Sequence, residues 1–127
     1  MKNTDFKNIL SNWISQISNE EDLDENIKAL NFGIFESENG YTVYLIGSNE
    51  YDIDDDEWAC NEDFVPKQKY LTFNEGQTIR LNWEDFEELI CRTLKSIINS
   101  EKVDEYSILN VDNITTGFDD GDLIKIK

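Results

Sequence analysis

The chain contains no histidine, a single proline and only two cysteines among its 127 residues. Histidine is the usual general base near neutral pH and the commonest metal ligand, so its absence leaves little basis for acid–base catalysis. Cys60 has no histidine to activate it as a nucleophile, and the sequence has no glycine-rich phosphate loop. Two cysteines make no disulfide framework, which favours a reducing cytoplasm. We therefore expect a cytoplasmic protein that is not an enzyme.

Basic residues are also scarce. Lysine and arginine number 11 against 28 aspartates and glutamates, and the formal net charge is -17. Nucleic acids and anionic membranes repel this charge, so we expect the protein to bind neither directly. The charge favours a basic protein partner or cations, with solubility alone as the alternative. Aromatic residues make up 12% of the chain, which excludes a disordered acidic tail. No apolar run reaches the length of a membrane span, and the N-terminus shows no signal core.

Hydrophobic spacing predicts two helices. The first is capped by Thr4 or Asp5 and ends near Ser18. The second is capped by Asn82 and covers about residues 83–99, with Cys91 beside its apolar stripe as an inert thiol. The residues predicted to lie in the core include Trp13, Phe86 and Leu94.

The strands are predicted from turn signals between apolar runs. Residues 28–36 and 41–47 flank Asn39-Gly40, which predicts a hairpin with a type I′ turn and places Phe35 opposite Tyr44. A second hairpin is predicted from residues 69–73 and 78–81.

A third hairpin is predicted from residues 114–118 and 123–127, with a type I′ turn at Asp120-Gly121. The three hairpins and two helices predict one α+β domain over residues 1–127. In that fold, the helices pack on one face of an antiparallel sheet.

The most unusual stretch is NEYDIDDDEWACNEDFVP, residues 49–66, which we call the acidic segment. It contains eight carboxylates and no basic residue. Asp52, Asp54, Asp56 and Asp63 match four positions of a calcium loop. However, Glu57 stands where that loop needs glycine, and no helix–loop–helix pattern surrounds the segment. We therefore expect no metal site and no cofactor.

Two other interpretations of the acidic segment stay open: a solvated loop, or a surface that meets a basic partner. Trp58 either folds back onto the sheet as an anchor or contacts the partner, because tryptophan ringed by polar groups makes a good interface anchor. The aspartates of DDGD either form a solvated turn or add negative surface, if they meet the acidic segment in space. The candidate partner-binding residues are Tyr51, Asp52, Asp54, Asp55, Asp56, Glu57, Trp58, Glu62, Asp63, Asp119, Asp120 and Asp122.

Three parts of the sequence carry a resemblance to a known group of proteins. They are NFGIFE…YTVYLIGSNEYDIDDDEWACNEDFVP, the capped helix from Trp83, and GFDDGDLIKI. From about Asn31 to Ile126, this pattern resembles the small acidic immunity proteins of bacterial polymorphic-toxin and contact-dependent growth inhibition systems. The resemblance implies a cytoplasmic protein that binds and neutralises a cognate toxin domain, often a nuclease. It assigns no subfamily, no oligomeric state and no site residue.

The physical chemistry of the acidic segment agrees with that implication. A nuclease needs a basic cleft to hold phosphates, and carboxylates at phosphate-like positions can fill such a cleft. Two further classes of protein would use the same negative charge. One is a phage or plasmid nucleic-acid mimic directed at a host DNA-binding protein, and the other is a calcium-binding interaction module.

Overall fold

The computed structural model describes residues 3–37, 40–74, 82–101 and 103–127. Two long helices lie in this part of the chain, α1 (Asn3–Glu20) and α2 (Trp83–Ile98). The predicted cap of α2 is confirmed, because the Asn82 side chain accepts a hydrogen bond from the Asp85 N–H at 2.8 Å. The predicted start of α1 is wrong. Thr4 and Asp5 lie inside the helix, and Asp5 places its negative charge in the first turn, where the helix dipole favours it.

In the described ranges, five strands form one sheet in the order β3-β2-β1-β4-β5. Their bounds are β1 Ala29–Ser37, β2 Gly40–Ser48, β3 Tyr70–Asn74, β4 Asn113–Phe118 and β5 Ile124–Lys125. The α+β class and the mostly antiparallel sheet are confirmed. The sheet is nevertheless mixed, because β4 pairs with β1 in parallel. The predicted strand over residues 78–81 lies outside the described residues.

Both helices pack on one face of the sheet, which we call the inner face. The ring of Phe6 stacks on Phe73 of β3 with centroids 4.7 Å apart, and the ring of Phe86 stacks on Tyr41 of β2 at 4.3 Å. The predicted core positions Trp13, Phe86 and Leu94 are confirmed, with 4%, 0% and 0% of their surface exposed. Among the described residues, no helix is long and apolar enough to cross a membrane.

The register of the first hairpin differs from the prediction. Ser37 pairs with Gly40, so Phe35 lies opposite Thr42 rather than opposite Tyr44. Asn39 lies outside the described residues, and Gly40 is already the first residue of β2. Tyr44 instead lies opposite Gly33, where an added Cβ would come 2.0 Å from the tyrosine Cζ atom. The glycine therefore gives the Tyr44 ring room to lie across β1.

The third hairpin forms, but its predicted turn is wrong. The Gly121 N–H donates to the Phe118 carbonyl at 3.0 Å, so Asp119 and Asp120 are the central residues of the turn. A type I′ turn needs positive φ at both central residues, and no described residue other than glycine has positive φ. Strand β5 is also shorter than predicted, and Thr116 pairs with Ile124.

Candidate functional site

The face of the sheet that points away from α1 and α2 carries the candidate site, and we call it the outer face. Its residues alternate along the strands with those of the inner face. The described residues that identify it include Asn31, Gly33, Phe35, Thr42, Tyr44, Ile46, Tyr70, Thr115 and Gly117. Many of them are apolar or aromatic, so this face is also expected to be shielded from water by other parts of the chain.

The acidic segment supplies part of that cover, and both of its ends are fastened to β2. It leaves the sheet after Ser48 and returns at Phe64, whose N–H and carbonyl form two hydrogen bonds with Gly47, at 3.1 and 2.9 Å. The Asp63 carboxylate also accepts the Asn49 N–H at 2.8 Å. The segment is thus a closed loop that begins and ends on the same strand.

Inside the loop, aspartates hold the backbone in place. The Asp52 carboxylate accepts the Asp54 N–H at 2.9 Å, and the Asp55 carboxylate accepts the Glu57 N–H at 3.0 Å. The second contact caps a short 3-10 helix over Asp56–Cys60. Such side-chain to backbone contacts are typical of aspartate in turns. Some of the carboxylates therefore also shape the loop that presents the charge.

Trp58 is buried, with 4% of its surface exposed. Its ring meets the edge of Tyr51 at 5.2 Å, and the Lys125 ammonium lies 5.3 Å from the centroid of the Tyr51 ring. This burial agrees with the first of the two predicted roles of Trp58, as an anchor of the acidic segment. Its ring is not exposed to a partner.

The geometry of the acidic segment gives no support to a calcium loop. Within the described ranges, no group of three or more acidic or thiol side chains is arranged to hold a metal ion. The Asp52 and Asp63 carboxylates turn toward backbone N–H groups instead.

The acidic segment and the β4–β5 turn meet on the outer face. The Leu123 N–H donates to the Asp56 carboxylate at 3.3 Å, and the Tyr44 hydroxyl donates to the Asp119 carboxylate. Gly117 lets the chain after the turn lie close against β4, since a Cβ there would come 2.7 Å from the Asp122 carbonyl oxygen. The aspartates of the turn were expected to add negative surface if they meet the acidic segment in space. They do meet it, and the two acidic clusters form one surface.

A cavity of about 640 Å³ opens where they meet, and we call it the first cavity. Its floor is formed by the rings of Phe35, Tyr44 and Tyr70, whose centroids lie 6.1 to 6.4 Å apart. The carboxylates that line it belong to Asp56, Glu57, Glu62 and Asp119. The cavity is therefore aromatic at its base and acidic at its walls.

One cation of the protein itself already lies in the first cavity. The Lys69 ammonium is 5.2 Å from the centroid of the Tyr70 ring, 5.7 Å from that of Tyr44, and 2.5 Å from the Glu62 carboxylate. The hydrogen bond to Glu62 raises the pKa of Lys69. Burial raises the pKa of Tyr44, and the hydrogen bond to Asp119 adds to the effect. Both groups therefore keep their protons at neutral pH.

A second cavity, of about 870 Å³, lies on the other side of the β4–β5 turn. Its main exposed ring is Trp83, which is 52% exposed and meets Phe118 edge to face at 5.9 Å. Asp119 lines both cavities, and Asp120 and Asp122 line the second. The turn therefore forms an acidic ridge between two cavities that each contain an exposed ring.

The predicted site residues fall into distinct positions. Tyr51 is half-buried and Trp58 is buried, whereas all ten predicted carboxylates are exposed. Asp52, Asp55 and Glu57 surround a shallower depression beside Tyr51. Asp54 and Asp63 line neither the first cavity nor the second.

Sequence reasoning missed the aromatic floor and Lys69. The signal that could have found the floor is that both faces of the first hairpin carry apolar residues, because a strand with two apolar faces is usually buried on both sides of its sheet.

Comparisons of the chain with protein-family models, curated proteins and solved structures found no match.

Proposed function

We propose that the protein is a cytoplasmic immunity protein that binds a basic toxin domain and neutralises it. One observation carries the proposal. The acidic segment and the β4–β5 turn converge on the outer face around exposed aromatic rings. The charge is thus organised into one surface with its own geometry, which solubility alone does not require.

The charge of this surface supports a basic partner. Eleven exposed carboxylates belong to the acidic segment and the turn: Glu50, Asp52, Asp54, Asp55, Asp56, Glu57, Glu62, Asp63, Asp119, Asp120 and Asp122. Complementary charge raises the rate at which two proteins meet, which favours capture of a toxin before it acts. A nuclease is the best-suited toxin, since its cleft must be basic to hold phosphates.

The exposed rings support a specific complex. Tyr70 and Trp83 are 57% and 52% exposed. Tyr70 lines the first cavity together with its carboxylates, and Trp83 lines the second together with those of the ridge. Aromatic residues that become desolvated on binding, within a polar rim, supply most of the energy of many protein interfaces. In this arrangement the carboxylates speed association and the rings slow dissociation.

The test measures association with the toxin domain encoded immediately upstream, at several salt concentrations. Changing Asp54, Asp55 and Asp56 to asparagine removes three charges. The amide oxygen of asparagine can still accept the N–H groups that Asp55 and Asp56 now accept. We expect slower association with a weaker salt dependence, an intact fold, and nuclease inhibition that is competitive with nucleic acid.

A matched control removes three exposed acidic charges from α2 and the chain after it. Glu88→Gln, Glu101→Gln and Asp104→Asn make the same change in net charge away from the outer face. We expect this variant to associate nearly as fast as the wild type. If both triple variants behave alike, only net charge matters and the proposal fails. Capture of a host DNA-binding protein, with no binding to the toxin, would instead support the nucleic-acid-mimic class.

A further inference from the structure

The first cavity already contains a cation–π arrangement made within the chain. The Lys69 ammonium lies within 6 Å of two tyrosine ring centroids, at 5.2 and 5.7 Å, which is the range of an attractive cation–π contact. The rings of Tyr44 and Tyr70 are therefore placed to receive positive charge.

The charge in the first cavity is not balanced by Lys69. Among the described residues, four carboxylates, from Asp56, Glu57, Glu62 and Asp119, line the cavity together with one lysine, Lys69. Glu62 is already paired with Lys69. Three negative charges remain, so the cavity can accept a further cation. Its volume of about 640 Å³ falls in the roughly 300–1,000 Å³ range of ligand sites and leaves room for a long side chain.

We propose that the first cavity binds an arginine side chain of the basic partner, which stacks on Tyr70 while its guanidinium meets the cavity carboxylates. This proposal rests on the proposed function, since it names the group by which that partner is recognised.

Arginine fits this cavity better than lysine for two reasons. Its planar guanidinium stacks on aromatic faces and binds carboxylates in a bidentate way, and it is less strongly hydrated than an ammonium group. In addition, the cavity already contains one ammonium group, that of Lys69, and Glu62 is the carboxylate that pairs with it. A flat cation with several donors can use the rings and the remaining carboxylates together.

The experiment needs no toxin. Isotope-labelled protein is titrated with three blocked tripeptides, Gly-Arg-Gly, Gly-Lys-Gly and Gly-citrulline-Gly, and followed by NMR. We expect the arginine peptide to shift the ring signals of Phe35, Tyr44 and Tyr70 first. The lysine peptide should bind more weakly, and the uncharged citrulline peptide should not bind.

Two substitutions at one exposed position separate ring electrostatics from apolar contact. Tyr70→Leu keeps an apolar side chain but removes the ring, and should weaken arginine-peptide binding by about two- to fivefold. Tyr70→Phe keeps the ring and should bind within about twofold of the wild type. Trp83→Leu removes an exposed ring from the second cavity and should leave the shifts that the arginine peptide causes at Tyr44 and Tyr70 as they are in the wild type.

Equal binding of the arginine and lysine peptides would overturn the proposal. So would shifts spread evenly along the acidic segment, or binding to Tyr70→Leu that matches the wild type. Failure here is distinct from failure of the proposed function. A toxin that binds Tyr70→Leu normally but associates slowly with the Asp54, Asp55, Asp56 variant would refute only the arginine site. Arginine binding without any basic toxin partner would refute only the function.

Discussion

Changing Trp58 to alanine tests how the acidic surface is held in place. Only 4% of Trp58 is exposed, so the substitution removes almost a whole buried ring. A buried aromatic side chain removes about 150–250 Å² from water, worth roughly 4–6 kcal/mol at about 25 cal/mol per Å². Measured losses for tryptophan to alanine in cores are roughly 3–5 kcal/mol. We expect a loss of this size in the stability of the acidic segment.

The loss should fall mainly on the segment because the rest of the fold has separate support. The Gly47–Phe64 hydrogen bonds close the loop, and the core formed by α1, α2 and the inner face does not contain Trp58. Without Trp58, the loop between those hydrogen bonds can open while the sheet stays folded. We therefore expect a smaller decrease in the free energy of global unfolding than in that of the segment.

Native-state hydrogen exchange measures the two effects separately. The Asn61 N–H donates to the Trp58 carbonyl at 3.1 Å and the Glu57 N–H donates to Asp55, so these amides report on the segment. Both should exchange faster in Trp58→Ala, whereas amides of α2 should change less. Trp83→Ala is the control, because it also removes a tryptophan but from α2, so exchange at Glu57 and Asn61 should stay as in the wild type. Wild-type exchange at Glu57 and Asn61 in Trp58→Ala would refute the anchoring role.

Three further predictions concern the core, the outer face and metal. Leu94→Ala should cost about 2–5 kcal/mol by thermal unfolding because Leu94 is fully buried, and an unchanged Tm would contradict the packing of α2. The folded-state pKa of Tyr44 is raised, so its contribution to stability is complete below the unfolded tyrosine pKa of about 10 and is lost as pH rises further. Urea unfolding above about pH 10 should therefore show a smaller loss in Tyr44→Phe than in the wild type. Excess EDTA should change neither Tm nor partner binding, and a large loss of either would favour the calcium-binding class.

The helices and most strands could be predicted because their signals are local. The Asn82 cap and the apolar spacing after it determine α2 without reference to the rest of the chain. The first hairpin shows the limit of such signals. The predicted and observed registers differ by two residues, so both place Phe35 and Tyr44 on the same face. In the observed register Tyr44 lies over Gly33, where a Cβ would clash with its ring, and this fit involves both strands.

The candidate site was predicted in its charge but not in its shape. The carboxylates of the acidic segment are visible in the sequence because they are consecutive. Phe35, Tyr44 and Tyr70 lie on three different strands and resemble ordinary sheet residues, so only the pairing of those strands assembles the aromatic floor. Likewise, no local pattern indicates that β4 pairs in parallel with β1, which brings the β4–β5 turn to the acidic segment.

The parallel pairing of β1 with β4 has a consequence for folding kinetics. It joins parts of the chain that are far apart in sequence, as the Thr115 to Asn31 side-chain hydrogen bond shows across 84 residues. Closing a loop of this length before its contacts form is entropically unfavourable and slows folding. The first hairpin, whose contacts are local, can form early, and docking of β4 then completes the sheet. Because Asp119 arrives with β4, a partially folded chain has the acidic segment but lacks the ridge. The ability to bind a partner through the complete surface should therefore develop with the slow folding phase, together with protection of the β4 amides.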